Sequence, residues 1–264
     1  MRILLTGYKG YLGSRVLKAI AGHEVVRLDE SNFDAFKRAF EPIAGMGFDM
    51  ILHIGAISDP TESSVRLWQM NVNATQLIVD TFAPMPKAVF ISSVSVYSPE
   101  SDYAYSKLAG ESIFESYYTD HEDDLCILRP VSIIGGDQSA KACPSIPDKF
   151  RMGQLNPMWS NWVRDYVYVN DVVDRIVRQI DDFESGWYDL GTGDGISNAE
   201  IAENNEFFGV ADGYVPRTIQ HERESIRVAS REDFPKDWHP RRLSEDIQRW
   251  RITRLPEHRF VSVL

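Results

Sequence analysis

The segment that most restricts what this chain can become is its first turn. An apolar run, Arg2-Ile3-Leu4-Leu5, enters Thr6-Gly7-Tyr8-Lys9-Gly10-Tyr11-Leu12-Gly13 and continues into residues 11–21, where apolar side chains recur at three- and four-residue spacing. A strand, a tight glycine turn and an amphipathic helix in that order open a βαβ unit. The glycines let the backbone turn sharply, admit a pyrophosphate close to the main chain and bring helix against strand, with the helix N-terminus facing the phosphates. Gly7, Tyr8, Lys9, Gly10, Tyr11, Leu12 and Gly13 are therefore the expected dinucleotide loop.

The same rhythm continues. Strands are predicted over 2–6, 24–29, 48–54, 87–92 and 125–128, separated by helices over 11–21, 33–40, 63–82 and 103–119. Such alternation specifies an α/β fold, a Rossmann-type doubly wound parallel sheet. After Pro130 and the Gly135-Gly136 pair the elements shorten. The expected division is a dinucleotide-binding domain over 1–130 and, over 131–264, mainly a small C-terminal substrate-binding lobe, with some segments returning to the sheet. In that lobe Asn170 is expected to cap a helix through Val172, Val173, Ile176 and Val177, and Ser197 with Glu200 fits a capping box. A last helix over 241–251 places Leu243, Ile247 and Trp250 on one face.

Composition removes several function classes. A net charge of −11 lacks the basic face that a phosphate backbone requires, so nucleic acid is not an expected partner. No apolar run approaches the ~20 residues of a membrane helix. The strand pattern begins at Arg2, leaving no room for a secretory leader. Cys126 falls in a strand and Cys143 in a loop, which reads as two free thiols in a reducing cytoplasm. No metal site is expected.

At the end of the second strand, Asp29 can accept hydrogen bonds from both hydroxyls of an adenosine ribose, which favours NAD. Arg27, Lys37 and Arg38 are near enough in sequence to leave the 2′-phosphate of NADP open. Further on, Ser92-Ser93-Val94-Ser95-Val96-Tyr97 precedes Tyr103-Ala104-Tyr105-Ser106-Lys107. On a helix Tyr103 and Lys107 share a face one turn apart, while Tyr105 points elsewhere. An ammonium beside a phenol, together with a positive nicotinamide, lowers the phenol pKa from about 10 and makes Tyr103 a usable base.

These residues resemble the extended short-chain dehydrogenases/reductases that act on nucleotide sugars. The resemblance covers most of the chain. It includes the strand 49–56, whose end, Ile54-Gly55-Ala56, would pack against the cofactor, and Asn71-Val72-Asn73-Ala74-Thr75, with Ala74 where the family has Gly. It implies that Ser93 contacts the substrate oxygen, leaving Ser92 and Ser95 as bystanders, that Lys107 also anchors the nicotinamide ribose, and that Pro130 and Val131 pass under the nicotinamide. Ser132 stands where a substrate-contacting Asn is common. Arg164, in Arg164-Asp165-Tyr166-Val167, resembles the arginine that clamps a sugar-nucleotide diphosphate, although such a dipeptide also suits a structural ion pair.

The branch is less sharply marked. Lys141, six residues beyond Gly135, resembles the second acid/base lysine of ADP-glyceromanno-heptose 6-epimerases, and an exposed loop lysine explains it equally well. The short segment 29–48 looks like that of the dTDP-4-dehydrorhamnose reductases. The resemblance thus implies an NAD(P)-dependent nucleotide-sugar epimerase or dehydratase working through a keto intermediate. A nucleotide-sugar reductase and a non-catalytic dinucleotide sensor are the alternatives. A homodimer through helices 63–82 and 103–119 is also implied.

Overall fold

The computed structural model describes residues 1–59, 61–82, 86–135, 145–151, 158–204, 207, 218–219 and 225–254. From the N-terminus, β1 (Arg2–Thr6) leads through the glycine turn to α1 (Gly13–Ala19), followed by β2 (Glu24–Leu28), α2 (Phe33–Phe40) and β3 (Met50–His53). The next helical stretch is not one helix. It runs as α3 (Ser64–Leu67), a π-helical turn over Trp68–Asn73, and α4 (Ala74–Phe82). Then come β4 (Lys87–Ile91), α5 (Asp102–Tyr118) and β5 (Leu125–Pro130).

Short elements follow: β6 (Ser132–Ile134), α6 (Ile146–Arg151), β7 (Met158–Trp159) and β8 (Trp162–Tyr168). The chain then forms α7 (Val169–Asp181), β9 (Gly186–Leu190), β10 (Gly195–Ser197), α8 (Asn198–Glu203), β11 (Thr218–Ile219), β12 (Ser225–Arg227) and α9 (Leu243–Arg254).

Six strands form the main sheet in the order β2-β1-β3-β4-β5-β9, and every pairing is parallel. Parallel strands covered on both faces read as continuous apolar runs, and the runs here are cores on two sides. Ile3, Leu5, Met50 and Leu52 pack against α1 and α7. Leu4, Ile51, Ala88 and Phe90 face α2, α4 and α5 on the other side. The strand order reverses between β1 and β3, and a crevice opens at such a switch point. A smaller sheet lies beyond it, with β10 and β12 flanking β8 and β6 pairing with the far end of β8.

One helix of the lobe begins differently from expectation. The helix of Val172 and Ile176 is present, but Asn170 does not cap it: the helix starts at Val169, and Tyr168, at the N-cap, makes no side-chain cap bond. Strand β8 runs straight into the helix because Val169 and Val172 both take core positions. The capping box of Ser197 and Glu200 is present. Leu243 and Ile247 join a core cluster with Ile196 and Ile201, whereas the Trp250 side chain lies outside the described residues.

A buried hydrogen-bond chain ties the strand ends together. Gly55 N–H donates to Thr6 Oγ1 at 3.0 Å, and Thr6 Oγ1 lies 2.7 Å from His53 Nδ1. On the other ring face His53 Nε2 is 2.8 Å from Thr75 Oγ1, which itself donates to the Asn71 carbonyl at 2.7 Å. Because the Thr75 hydroxyl proton is committed to Asn71, its oxygen accepts from His53 Nε2–H. Burial lowers the His53 pKa to about 3.

Between that value and the ordinary value near 6.5 the unfolded chain holds a proton that the folded chain lacks, so stability falls as pH drops through this window. One such proton contributes a slope of about 1.4 kcal/mol per pH unit. Urea unfolding from pH 6.5 to pH 4 is expected to show that added slope in the native protein and not in His53→Gln.

Candidate active site

A cleft of about 780 Å³ opens at the switch point and runs from the glycine turn to the smaller sheet. Its first wall is the turn itself. Gly7 adopts φ +71°, and a Cβ there would sit 2.5 Å from Gly55 Cα. A Cβ on Gly13 would lie 2.0 Å from the Gly7 carbonyl oxygen. Side chains are excluded at both places, so main-chain surface faces the cleft beside Lys9, Gly10, Tyr11 and Leu12. Asp29 closes this end, its Oδ2 accepting the Lys9 N–H at 2.7 Å. The glycine cradle and the acid at the end of β2 fit the pyrophosphate and adenosine ribose of a dinucleotide.

Ile54, Gly55 and Ala56 line the opposite wall, and Pro130, Val131 and Ser132 line the floor further along. Two residues expected at the cofactor do not line the cleft. Tyr8 is turned away, with the Lys9 ammonium 5.4 Å from its ring centre. Asn71 is buried behind the wall, where its amide accepts from Ile57 N at 2.8 Å and donates to Ile57 O at 3.0 Å and Ser106 Oγ at 2.9 Å. Asn71 therefore shapes the wall instead of forming it. The π-helical turn carries this residue inward, as such bulges do at functional sites.

Ser93, Tyr103 and Lys107 all line the same cleft. Ser93 lies just beyond β4 and begins a short 3₁₀ turn, its Oγ accepting from Ser95 N at 3.2 Å. Tyr103 stands in the first turn of α5, started by Ser101, whose Oγ accepts from Ala104 N at 3.2 Å. Lys107 is 3% exposed. Its ammonium donates to the Ile91 carbonyl at 2.6 Å and lies 4.8 Å from the centre of the Phe90 ring. Burial lowers the Lys107 pKa to about 7, with Glu111 acting in the opposite direction.

The far end is cationic. Arg164 on β8 and Arg227 on β12 stand opposite each other in register and both line the cleft, together with Lys149. Burial and the neighbouring Arg227 lower the Arg164 pKa. Arg227 pairs with Glu100 at 2.6 Å. Asp165 is 1% exposed, and its carboxylate accepts from Thr192 N and Oγ1, Gly193 N and Ala229 N, at 2.5–3.3 Å. This carboxylate fastens the turn after β9 and the strand carrying Arg227 to β8.

Sequence reasoning passed over several lining residues. Arg227 and Arg66 arrive from separate segments, and only strand pairing or helix placement brings them in; Arg66 donates to the Ser31 carbonyl at 3.0 Å. Ser92 and Ser95, set aside as bystanders, also line the cleft, and their buried Oγ atoms have no hydrogen-bond partner. Neither Arg27, Lys37 nor Arg38 lines it; Lys37 pairs with Asp34 at 3.0 Å. Lys141 and Cys143 lie outside the described residues, and Cys126 is a buried free thiol.

A six-stranded parallel sheet with a glycine cradle at its switch point, and a serine, tyrosine and lysine converging on the same cleft, defines the short-chain dehydrogenase/reductase class of dinucleotide enzymes. Within that class, the model of the NAD dependent epimerase/dehydratase family matches residues 3–191. The chain belongs to that family.

Similar curated proteins include a dTDP-D-glucose 4,6-dehydratase of Mus musculus, 22% identical over 252 residues and covering 76% of this chain and 71% of the relative. A UDP-glucose 4-epimerase of Mycolicibacterium smegmatis is 26% identical over 255 residues, covering 76% and 80%. The fold is shared with the UDP-glucose 4-epimerase of Thermotoga maritima, solved with UDP-glucose, at a TM-score of 0.78 and 19% identity over 96% of this chain and 99% of that one.

Charge-assisted hydrogen bonds contribute about 1.5–3 kcal/mol each. Asp29→Ala is accordingly expected to weaken NAD binding at least about tenfold by isothermal titration.

Proposed function

We propose that this protein is a nucleotide-sugar epimerase or dehydratase in which Tyr103 removes a proton from a sugar hydroxyl and Ser93 steadies the oxygen as it becomes a carbonyl. The observation that carries the reading is the joining, in one cleft, of Ser93, Tyr103 and Lys107 with a dinucleotide cradle on one side and the Arg164–Arg227 pair on the other. When bound, NAD would supply the hydride acceptor for the carbon that bears the hydroxyl and, later, the hydride donor.

The chain's own groups do the rest. The Lys107 ammonium, held at the end of β4 by the Ile91 carbonyl, favours the phenolate of Tyr103 as base. Ser93 donates its hydroxyl proton to the sugar oxygen while its own oxygen stays tied to Ser95 N. Arg164 and Arg227 supply adjacent guanidinium groups suited to a diphosphate. If the keto sugar turns over before hydride returns, the outcome is inversion; if a neighbouring proton and hydroxyl leave first, it is loss of water.

A reductase is the second reading, favoured by the direct passage from β2 through α2 to β3, which leaves β2 at the sheet edge. Dinucleotide retained through purification supports the epimerase or dehydratase reading. A protein that arrives empty and consumes NAD(P)H stoichiometrically is a reductase.

Two further parts of the reading concern setting and assembly. Among the described residues no helix is long and apolar enough to cross a membrane, and the free thiol Cys126 suits a reducing cytoplasm. Val65, Trp68, Tyr105 and Leu108 are exposed on the adjoining α3, π-turn and α5, an apolar face suited to a second copy across a two-fold axis.

Incubation with a panel of nucleotide sugars, followed by NMR, tests the activity: inversion at one carbon or loss of water is expected from at least one of them. Tyr103→Phe is expected to lower kcat by about 10²–10⁴, and Arg164→Ala to raise KM with a smaller effect on kcat. Leu108→Glu is expected to convert a dimer to monomers in light scattering without loss of fold.

A further inference from the structure

Behind the cleft, α5 carries a second charged group on the face that holds Tyr103 and Lys107. Glu111 follows Lys107 by one turn and is 2% exposed. Two carboxylate-to-guanidinium bonds fix it: Arg129 Nε to Oε1 at 2.9 Å and Nη2 to Oε2 at 2.6 Å. Arg129 in turn donates to Tyr97 Oη at 3.0 Å, and Tyr97 donates to Asp189 Oδ1 at 2.9 Å. Along this series the charges alternate in sign: Lys107, Glu111, Arg129, Asp189.

A buried charge without a counter-charge is costly, and an ammonium in that position sheds its proton. Among the described residues, the groups facing Lys107 are few. On its own helix they are Tyr103 and Glu111. From β3 comes His53, which burial keeps neutral. From β4 come the Ile91 carbonyl and the Phe90 ring, brought close because a Cβ on Gly110 would lie only 2.8 Å from that ring. From β5 comes Arg129, whose positive charge is spent on Glu111. Glu111 is the anion in this set.

We propose that Glu111, gripped by Arg129, is a positioning residue of the reaction: it is the counter-charge that keeps the Lys107 ammonium in the buried wall beside Tyr103. A neutral amine there could still accept or donate a hydrogen bond, but it would no longer favour the phenolate. The Glu111–Arg129 pair is thus more than a tie between α5 and β5. Its carboxylate sets the pH up to which the site keeps its cation, and the fork from Arg129 sets how much of that negative charge Lys107 feels. This assignment rests on the proposed function only for its catalytic consequence.

The test follows the Lys107 ammonium itself. The full chain, with and without added NAD, is labelled with [ε-¹³C]lysine, and the Lys107 resonance is assigned by its loss in Lys107→Met. In Glu111→Gln the titration midpoint of Lys107 is expected to fall by roughly one pH unit, the usual effect of removing a nearby opposite charge, and Glu111→Asp is expected to restore much of it. The alkaline limb of the kcat–pH profile is expected to fall with it. A folded Glu111→Gln protein with an unmoved Lys107 midpoint overturns the proposal.

Should Glu111→Gln fail to fold, Arg129→Lys carries the test, because it keeps the charge but loosens the fork. An upward shift supports the proposal, and no shift or a downward one overturns it. If the midpoint moves as expected while no nucleotide sugar is turned over, the functional reading falls and the assignment of Glu111 stands.

Discussion

At the centre of the sheet the chain leaving β1 and the chain leaving β3 touch main chain to main chain. Gly7 and Gly55 approach so closely that a methyl group on Gly7 has no place to go, and Gly13 returns over the same point. This contact decides more than the shape of a loop. It lets the Thr6 hydroxyl reach both Gly55 and His53, and through His53 and Thr75 it fixes the π-helical turn that holds Asn71. Asn71 then pins Ile57 on one side and, through Ser106, the Tyr103 carbonyl on the other. The cradle and the helix bearing Tyr103 are parts of one hydrogen-bonded unit, so neither can shift far without the other.

The far end of the cleft is organised by a different kind of bond. Asp165 collects backbone donors from two segments remote in sequence, 192–193 and 229, and so brings the strand of Arg227 beside that of Arg164. Two guanidinium groups side by side repel, which lowers the Arg164 pKa further; Glu100 relieves part of that cost. A site arranged this way gains most from an anion placed between the two arginines. The dinucleotide half and the lobe thus rely on separate devices, glycine contact and carboxylate clamp, joined by Tyr11, whose hydroxyl donates to the Gly135 carbonyl.

What could be read in the sequence was what is contiguous in it. Strands β1, β3, β4 and β5 are mainly apolar runs because both faces of the sheet are covered there, and the glycine turn, Ser93, Tyr103 and Lys107 lie within short motifs. Placement across a wall was not readable. Asn71 stands in a motif associated with the cofactor, but the π-helical turn directs it to the back of the wall. Asn170 has the chemistry of a cap and misses the position by two residues because Val169 is claimed by the core. Arg227, Arg66 and the orphaned hydroxyls of Ser92 and Ser95 come to the cleft by strand pairing and helix packing that no local pattern encodes. Glu111 sits at helical spacing from Lys107, but its burial depends on Arg129 from a different strand.

The pairing of β6 with β8 carries a consequence for how such a protein can change. Ser132 stands opposite Tyr166 and Ile134 opposite Tyr168, so the chain leaves β6 beside the end of β8 and re-enters at Trp162, the start of β8, which makes the connection between these parallel strands a crossover excursion. Closing a longer excursion costs only about 0.6 kcal/mol for each doubling of its length. Residues can therefore be added or removed there by insertion and deletion while β8 keeps Arg164 in register and the half holding Tyr103 keeps its geometry. The fold thus separates a fixed engine from a replaceable fitting.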